Sequence, residues 1–403
     1  MQERNKAKKA NNNTSLRGKG RKPQTQKRGG KPKSTLNPDL LIQKAVFTPV
    51  EAKNTVTTKF EDLPLNSTLK TNILNMGFVH PTPIQDQTFE QLLHVQDLIG
   101  IASTGTGKTG AFLIPVLERL LRNEEERFQS LIIVPTRELA LQVNDEFKKL
   151  TRDLRLRSAC FIGGTNVEKD VRSLNNYFDV IIGTPGRLLD LKDRGRLKLG
   201  RIEVLVLDEF DKMLDMGFVR DIRSIANAMR DRKQTLLFSA TKDRKQQQII
   251  EEFVTEPLIV ELSTGDKSSK NVDQDIIRVK EGENKFDLLK NLLSDEKFNK
   301  VILFTETKHL AKRLSGQLNS AGIKSDEIHG NKSQNYRVNA LDKFKSGAVR
   351  VLVATDVAAR GIDVNDVALV VNYQLPTDFD TYIHRVGRTG RAGKTGKAYT
   401  FVD

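Results

Sequence analysis

The chain has little of what secreted and membrane proteins depend on. Its 403 residues include one cysteine, Cys160, which excludes an intrachain disulfide and any metal site built from cysteines. Long apolar runs are also missing. Runs such as Leu131–Val134 and Leu369–Val371 are far too short to cross a bilayer. No apolar stretch follows Met1-Gln2-Glu3-Arg4, so no secretory signal pattern opens the chain. A cytoplasmic location without membrane attachment is the expectation. Acidic residues are nearly absent from one end: residues 1–35 carry twelve lysines and arginines against Glu3 alone, so +11 of the net +15 lies there. That stretch is rich in Asn, Gln, Gly and Ser and cannot bury enough surface to order itself. It reads as a disordered basic arm with a reach of roughly 30 Å, adding salt-sensitive, sequence-blind affinity for nucleic acid. A solubilising or expression-derived tail would have the same composition.

Over the whole chain, 37% of residues are hydrophobic and 29% charged, ordinary values for a globular protein of two or three domains. Residues 1–58 are set apart as the disordered basic extension. From 59 to 262, aliphatic runs alternate with amphipathic stretches. The strand candidates there are Asp97–Ala102, Ser130–Thr136, Arg157–Gly163, Asp179–Gly183, Glu203–Asp208, Thr235–Ser239 and Leu258–Leu262. A polar, unperiodic linker covers 263–272. A second alternation fills 273–403, with Asp275–Lys280, Val301–Thr305, Ser325–His329, Val349–Thr355, Val367–Tyr373 and Ala398–Val402 as strands. Continuous aliphatic runs joined by helices predict two tandem α/β domains, each a mostly parallel sheet covered by helices on both faces. Ligands are then expected at the carboxyl ends of strands and between the domains.

Two runs carry chemistry. In Ala102-Ser103-Thr104-Gly105-Thr106-Gly107-Lys108-Thr109, Gly105 and Gly107 let the backbone curl around phosphate oxygens. Lys108 can neutralise the β/γ oxygens, and the Thr109 hydroxyl can hold Mg2+. Ala102 stands where the general phosphate-loop pattern has its first glycine. The second run, Val206-Leu207-Asp208-Glu209-Phe210-Asp211, ends an apolar strand in acid. Asp208 is expected to hold Mg2+ through water and Glu209 to polarise the attacking water. The pair predicts a nucleotide hydrolase that does mechanical work.

With these residues the chain resembles a DEAD-box RNA helicase of superfamily 2, of bacterial type, from about Phe60 to Asp403. The resemblance implies two RecA-like domains and a series of motif roles. Phe60 and Gly77-Phe78-Val79-His80-Pro81-Thr82-Pro83-Ile84-Gln85 resemble the motif in which the glutamine reads the adenine edge and the aromatic stacks on the base. Pro135-Thr136-Arg137-Glu138, Gly163-Gly164 and Thr184-Pro185-Gly186-Arg187 are similar to the family's first-domain contacts to the RNA sugar-phosphate track. Ser239-Ala240-Thr241 resembles the motif linking hydrolysis to RNA, through hydroxyl bonds to Asp211. In the second domain the resemblance assigns Thr305, Gln334, Arg337 and Thr355 to RNA and Asp363 to the ribose. Arg388 and Arg391, in His384-Arg385-Val386-Gly387-Arg388-Thr389-Gly390-Arg391, become arginine fingers. His384 is either part of the cleft or a buried, hydrogen-bonded histidine.

The implied activity is ATP-dependent, RNA-stimulated, local and non-processive unwinding of RNA duplexes or remodelling of ribonucleoproteins, by a monomer binding ATP, Mg2+ and single-stranded or duplex RNA. Two departures stand out. Phe210 replaces the family's alanine and must find room under its strand. The chain also stops just after its last predicted strand, where a helix covering the second domain is the family's usual continuation. Two rivals remain: an ATP-gated RNA clamp with little turnover, and a DNA-translocating helicase of the same superfamily.

Overall fold

Every aliphatic run singled out above forms a strand. The computed structural model describes residues 34, 36–45, 56–102, 105–122, 129–240, 244–262, 271–359, 364, 367–390 and 395–403. The first seven strands are β1 (Leu98–Ile101), β2 (Gln129–Ile133), β3 (Ser158–Phe161), β4 (Val180–Gly183), β5 (Ile202–Leu207), β6 (Gln234–Ser239) and β7 (Leu258–Glu261). They form one sheet in the order β3-β4-β2-β5-β6-β1-β7, with every pairing parallel. The other six are β8 (Val272–Arg278), β9 (Val301–Thr305), β10 (Ser325–Ile328), β11 (Val351–Thr355), β12 (Leu369–Asn372) and β13 (Gly396–Val402). They form a second parallel sheet, β10-β11-β9-β12-β13-β8.

Alternate residues of each strand feed cores on opposite faces, the pattern of a sheet buried on both sides. In β5, Val204 and Val206 join one core, which also holds Phe112 and Phe238 from neighbouring elements. Leu205 and Leu207 join the other, with Phe161 and Phe253. The second sheet is divided in the same way around Phe304 and Phe344 on one face and Phe401 on the other.

Strand ends differ from the sequence reading where a helix cap intervenes. The run expected to extend to Thr136 leaves the sheet at Ile133. Thr136 is instead the N-cap of the helix Arg137–Leu150, its side chain accepting from the Leu139 N–H. A capping hydroxyl satisfies an amide that the first helical turn leaves unpaired.

One larger difference concerns the extension drawn as residues 1–58. Residues 1–33 and most of the 263–272 linker lie outside the described residues. Residues 34 and 36–45, however, are packed onto the second sheet. A short 3-10 helix, Pro38–Leu41, places Leu41 in the core, and Gln43 forms an antiparallel bridge with Gln274 of β8. The low aliphatic content that predicted disorder belongs to residues 1–35; residues 36–45 carry Leu36, Leu40, Leu41 and Ile42, of which Leu41 enters the core and Leu36 packs against it.

Candidate functional site

The phosphate loop opens the helix Lys108–Arg122 directly after β1. Gly107 has φ +90°, and a Cβ there would sit 2.7 Å from Thr82 Oγ1 and 2.8 Å from Gln85 Nε2, so only glycine fits. Gln85 holds the loop from outside: its Nε2 donates to Gly107 O at 3.0 Å while its Oε1 accepts from the Thr82 N–H at 2.9 Å. The amide expected to read adenine is thus engaged with the loop itself. Phe60, expected as a stacking platform, is 1% exposed and sits in the core, lining one small cavity together with Gln85, Phe89 and Gly110. Lys108 is buried, and its Nζ donates to Ala102 O at 2.9 Å. Gly105 is also left-handed, at φ +85°, and Thr106 and Thr109 are half-buried. Ser103 and Thr104 lie outside the described residues.

Facing this loop is the end of β5, two strands away in the sheet. Asp208 is buried, its Oδ1 accepting from the Glu209 N–H at 2.9 Å. Burial pushes its carboxyl up to about 6, with Lys108 pulling it back and Glu209 adding to the rise. Such a group favours an incoming cation. Glu209 is left-handed (φ +52°), a costly conformation for a residue with a Cβ. Its Oε1 pairs with Lys212 Nζ at 2.5 Å, both side chains buried. Its Oε2 is buried without a hydrogen-bond partner among the described residues. Burial pushes Glu209 up, but Lys212, Lys108 and Arg388 outweigh it and hold the carboxyl below its ordinary value.

The Phe210 ring found its room in the core, edge-on to Phe253 with centroids 5.7 Å apart. It therefore leaves the acidic side chains facing the loop. Asp211 Oδ2 accepts from the Ala240 N–H at 3.1 Å, joining the acidic run to Ser239-Ala240. Ser239 is buried; Thr241 lies outside the described residues.

The three candidate RNA motifs of the first lobe follow β2, β3 and β4, which are neighbours in the sheet. Arg137 lies across Gly163-Gly164, where a Cβ on Gly164 would collide with its guanidinium. Pro135 and Thr136 are buried. Thr184 stands at the N-cap position of the helix Pro185–Asp193, without a side-chain capping bond, and the helix begins Pro185-Gly186-Arg187. Arg187 differs from the expected outward contact: it donates to Thr165 O at 2.8 Å and pairs with Asp170.

In the second lobe, Thr305 ends β9 and is buried, while Thr355 ends β11 half-buried. Gln334 and Arg337 lie on the helix Gln334–Lys345 and turn to the first lobe. Gln334 Nε2 donates to Glu138 Oε1 at 3.1 Å, and Arg337 Nη2 meets the same oxygen at 3.0 Å. The two lobes are therefore in contact, and Arg388 acts electrostatically on Glu209 and Lys212 from across the cleft. Arg385 grips Asp356 with bonds of 2.6 and 2.8 Å. It thereby fixes the helix Phe379–Val386, which bears the half-buried His384 and leads to Arg388. Asp363 and Arg391 lie outside the described residues.

Sequence reasoning missed two residues. Glu138 was visible inside its motif, but its partners come from a different lobe. Lys212 follows the acidic run at the i, i+3 spacing that brings side chains together on a helix, which could have flagged it.

Residues 82–249 match the DEAD/DEAH box helicase model and residues 284–393 match the helicase conserved C-terminal domain. The chain is 44% identical to the DEAD-box ATP-dependent RNA helicase CshA of Bacillus subtilis over 347 residues, covering 86% of this chain and 70% of that protein. It is also 44% identical to CshA of Streptococcus pneumoniae serotype 4, covering 85% of this chain but 65% of the relative. The chain thus spans less than two thirds of the pneumococcal protein's length. Among solved structures, S. cerevisiae Dbp5 bound to RNA and ADP BeF3 aligns with TM-score 0.75 at 34% identity, over 85% of this chain and 89% of that one. Mss116p bound to single-stranded RNA and AMP-PNP aligns with TM-score 0.78 at 30% identity, over 87% of this chain and 75% of that one. With its two parallel-sheet lobes and its motifs gathered on facing edges, this chain belongs to the DEAD-box ATP-dependent RNA helicase family.

Proposed function

We propose that the chain is an RNA-stimulated ATPase that uses ATP binding and hydrolysis for local, non-processive separation of RNA strands or remodelling of ribonucleoproteins. The observation that carries this reading is the contact between the lobes, where Gln334 and Arg337 of the second both reach Glu138 of the first at 3.1 and 3.0 Å, with Arg388 within electrostatic reach of Glu209. Hydrolysis then depends on lobe closure, and a track shared by both lobes makes closure depend on RNA.

In this reading the loop 103–109 and Lys108 hold the triphosphate, and Asp363 approaches the ribose. Gln85 positions the loop through Gly107 and Phe60 packs behind it, alongside adenine recognition by Gln85. Thr109 and Asp208 would hold Mg2+, and the buried, anionic character of Asp208 fits that role. The ion would neutralise phosphate charge. Glu209 uses its unpartnered Oε2 to accept a hydrogen bond from the attacking water. Asp208-Glu209-Phe210-Asp211 serves as the acidic box, with Phe210 as an internal anchor. Arg388 and Arg391 stabilise charge on the transferring phosphoryl group, a contribution typically worth roughly 10³–10⁵ in rate. Asp211, Ser239, Thr241 and His384 transmit closure between the sites.

RNA runs over Pro135, Thr136, Arg137, Gly163, Gly164, Thr184, Pro185 and Gly186 on one lobe and Thr305 and Thr355 on the other. Contacts of this kind read the phosphodiester backbone and little of the bases. Arg187 supports the track through Asp170 and Thr165, and Gln334 and Arg337 brace its two halves through Glu138. The basic arm adds non-specific RNA affinity, and the chain works as a cytoplasmic monomer.

The test is ATP turnover without nucleic acid, with single-stranded RNA and with matched single-stranded DNA. Strong stimulation by RNA alone is expected. Equal stimulation by DNA would overturn the substrate assignment. Tight RNA binding without stimulation would replace the helicase reading with a clamp.

A further inference from the structure

The chain begins its described course on the second lobe, builds the first, and then returns to the second. The opening segment, residues 34 and 36–45, is held to the second lobe by contacts of several kinds. Leu41 is 2% exposed and shares a core with Val272, Tyr382 and Val386, whereas its neighbour Leu40 is 78% exposed. Gln43 and Gln274 exchange backbone hydrogen bonds of 3.0 and 2.7 Å. The Ala45 N–H donates to Asp273 Oδ1 at 2.8 Å. Asp39 pairs with Arg278, and Ser34 Oγ donates to Pro376 O at 2.6 Å.

These contacts converge on two features of the second lobe. One is β8, the edge strand of the sheet, whose unpaired amides and carbonyls are a template for any extended segment. The other is the helix Phe379–Val386. Its Tyr382 is buried against Leu41, and its hydroxyl donates to Gln274 Oε1 at 2.8 Å. The same helix ends two residues before Arg388.

We propose that the β8 edge and the Tyr382 face of this helix form a docking site for an extended segment, filled in cis by residues 34–45, and that the seated strap positions Arg388. This proposal rests on the ATPase reading above. The strap supports the Phe379–Val386 helix through Tyr382, one turn before the Arg385–Asp356 clamp. Loss of Leu41 opens a gap beneath Tyr382 and lets the arginine-bearing turn drift. Positioning errors of this size at a remote support are costly in rate, because the guanidinium must meet the phosphoryl group in one geometry. The strap also limits lobe separation. Between Ala45 and Val56 the backbone can span at most about 36–40 Å, so the lobes stay joined by a second tether besides the linker.

The experiment uses the full chain. Leu41→Asp is expected to lower RNA-saturated kcat by roughly tenfold with little change in KM for ATP, and to raise hydrogen exchange in residues 379–386 selectively. Unchanged turnover and unchanged exchange in 379–386 would overturn the proposal. Should Leu41→Asp fail to fold, Gln43→Cys with Gln274→Cys in a Cys160→Ala background decides the matter. Paired positions of this type lie about 5.5 Å apart, within disulfide range. The oxidised form should match the reduced form in kcat. Loss of turnover on oxidation alone would mean that the strap must leave, overturning a permanently seated support. If no form of the chain turns over ATP, the ATPase reading fails. The exchange comparison still tests the docking site on its own.

Discussion

The Glu138 carboxylate of the first lobe meets the Arg337 guanidinium of the second at 3.0 Å, with side-chain exposures of 3% and 11%. A pair this enclosed is screened little by salt. Removing one partner leaves the other desolvated and uncompensated, which costs about 2–3 kcal/mol, or roughly 30- to 150-fold in affinity. Glu138→Ala is therefore expected to weaken RNA binding in the presence of a non-hydrolysable ATP analogue by that factor. Thermal unfolding of the lobes should stay within about 2 °C of the parent. Unchanged affinity would mean that closure does not depend on this pair.

Lys212 keeps Glu209 charged inside the protein. Burial lowers the lysine's own pKa and Glu209 raises it, so each partner needs the other to stay ionised. Lys212→Met strands a buried carboxylate, at a cost of about 3–5 kcal/mol to the first lobe. A drop in urea midpoint and a fall in kcat of roughly tenfold or more are expected. Lys212→Arg should keep most of both. Native kcat in the methionine variant would remove Lys212 from the account.

Lys108→Ala removes the ammonium from the loop together with its bond to Ala102 O. ATP turnover should vanish, and nucleotide-free RNA binding should persist because the candidate track follows β2, β3 and β4. An unaltered turnover number would contradict the phosphate-loop assignment.

The only cysteine is a built-in control for labelling. Burial pushes the Cys160 thiol up to about 12, with Lys148 lowering it and Asp145 and Asp170 raising it. Thiolate is the reactive form. At pH 8 alkylation should run roughly a thousandfold slower than for a free thiol with a pKa near 8.5. The rate should then rise about tenfold per pH unit towards pH 11. Fast labelling at neutral pH would show that β3 opens at the sheet edge.

Much of this architecture was legible in the residues. Runs such as Val204–Leu207 and Val301–Leu303 are aliphatic throughout because both faces of a parallel strand are buried, and no partner is needed to recognise them. The phosphate loop and Asp208-Glu209 were legible for a similar reason, since their chemistry depends on neighbours along the chain. The strap was not. Leu41 stands in a short apolar run, Leu40-Leu41-Ile42, that is too brief to announce an element, and what orders it is the edge of β8, more than two hundred residues later. Arg187 reads as an exposed RNA contact until Asp170 and Thr165 fold against it.

By itself, then, the sequence determined the two parallel sheets, the phosphate loop and the acidic strand end, because periodicity and local spacing encode them. Only the tertiary structure decided that Glu138 serves Gln334 and Arg337, that Lys212 holds Glu209, that Gln85 engages Gly107, and that residues 34–45 belong to the second lobe. Each of those pairings joins groups whose local sequence is equally compatible with open solvent. A buried charge or a free strand edge makes its demand for a partner only after the chain has folded around it.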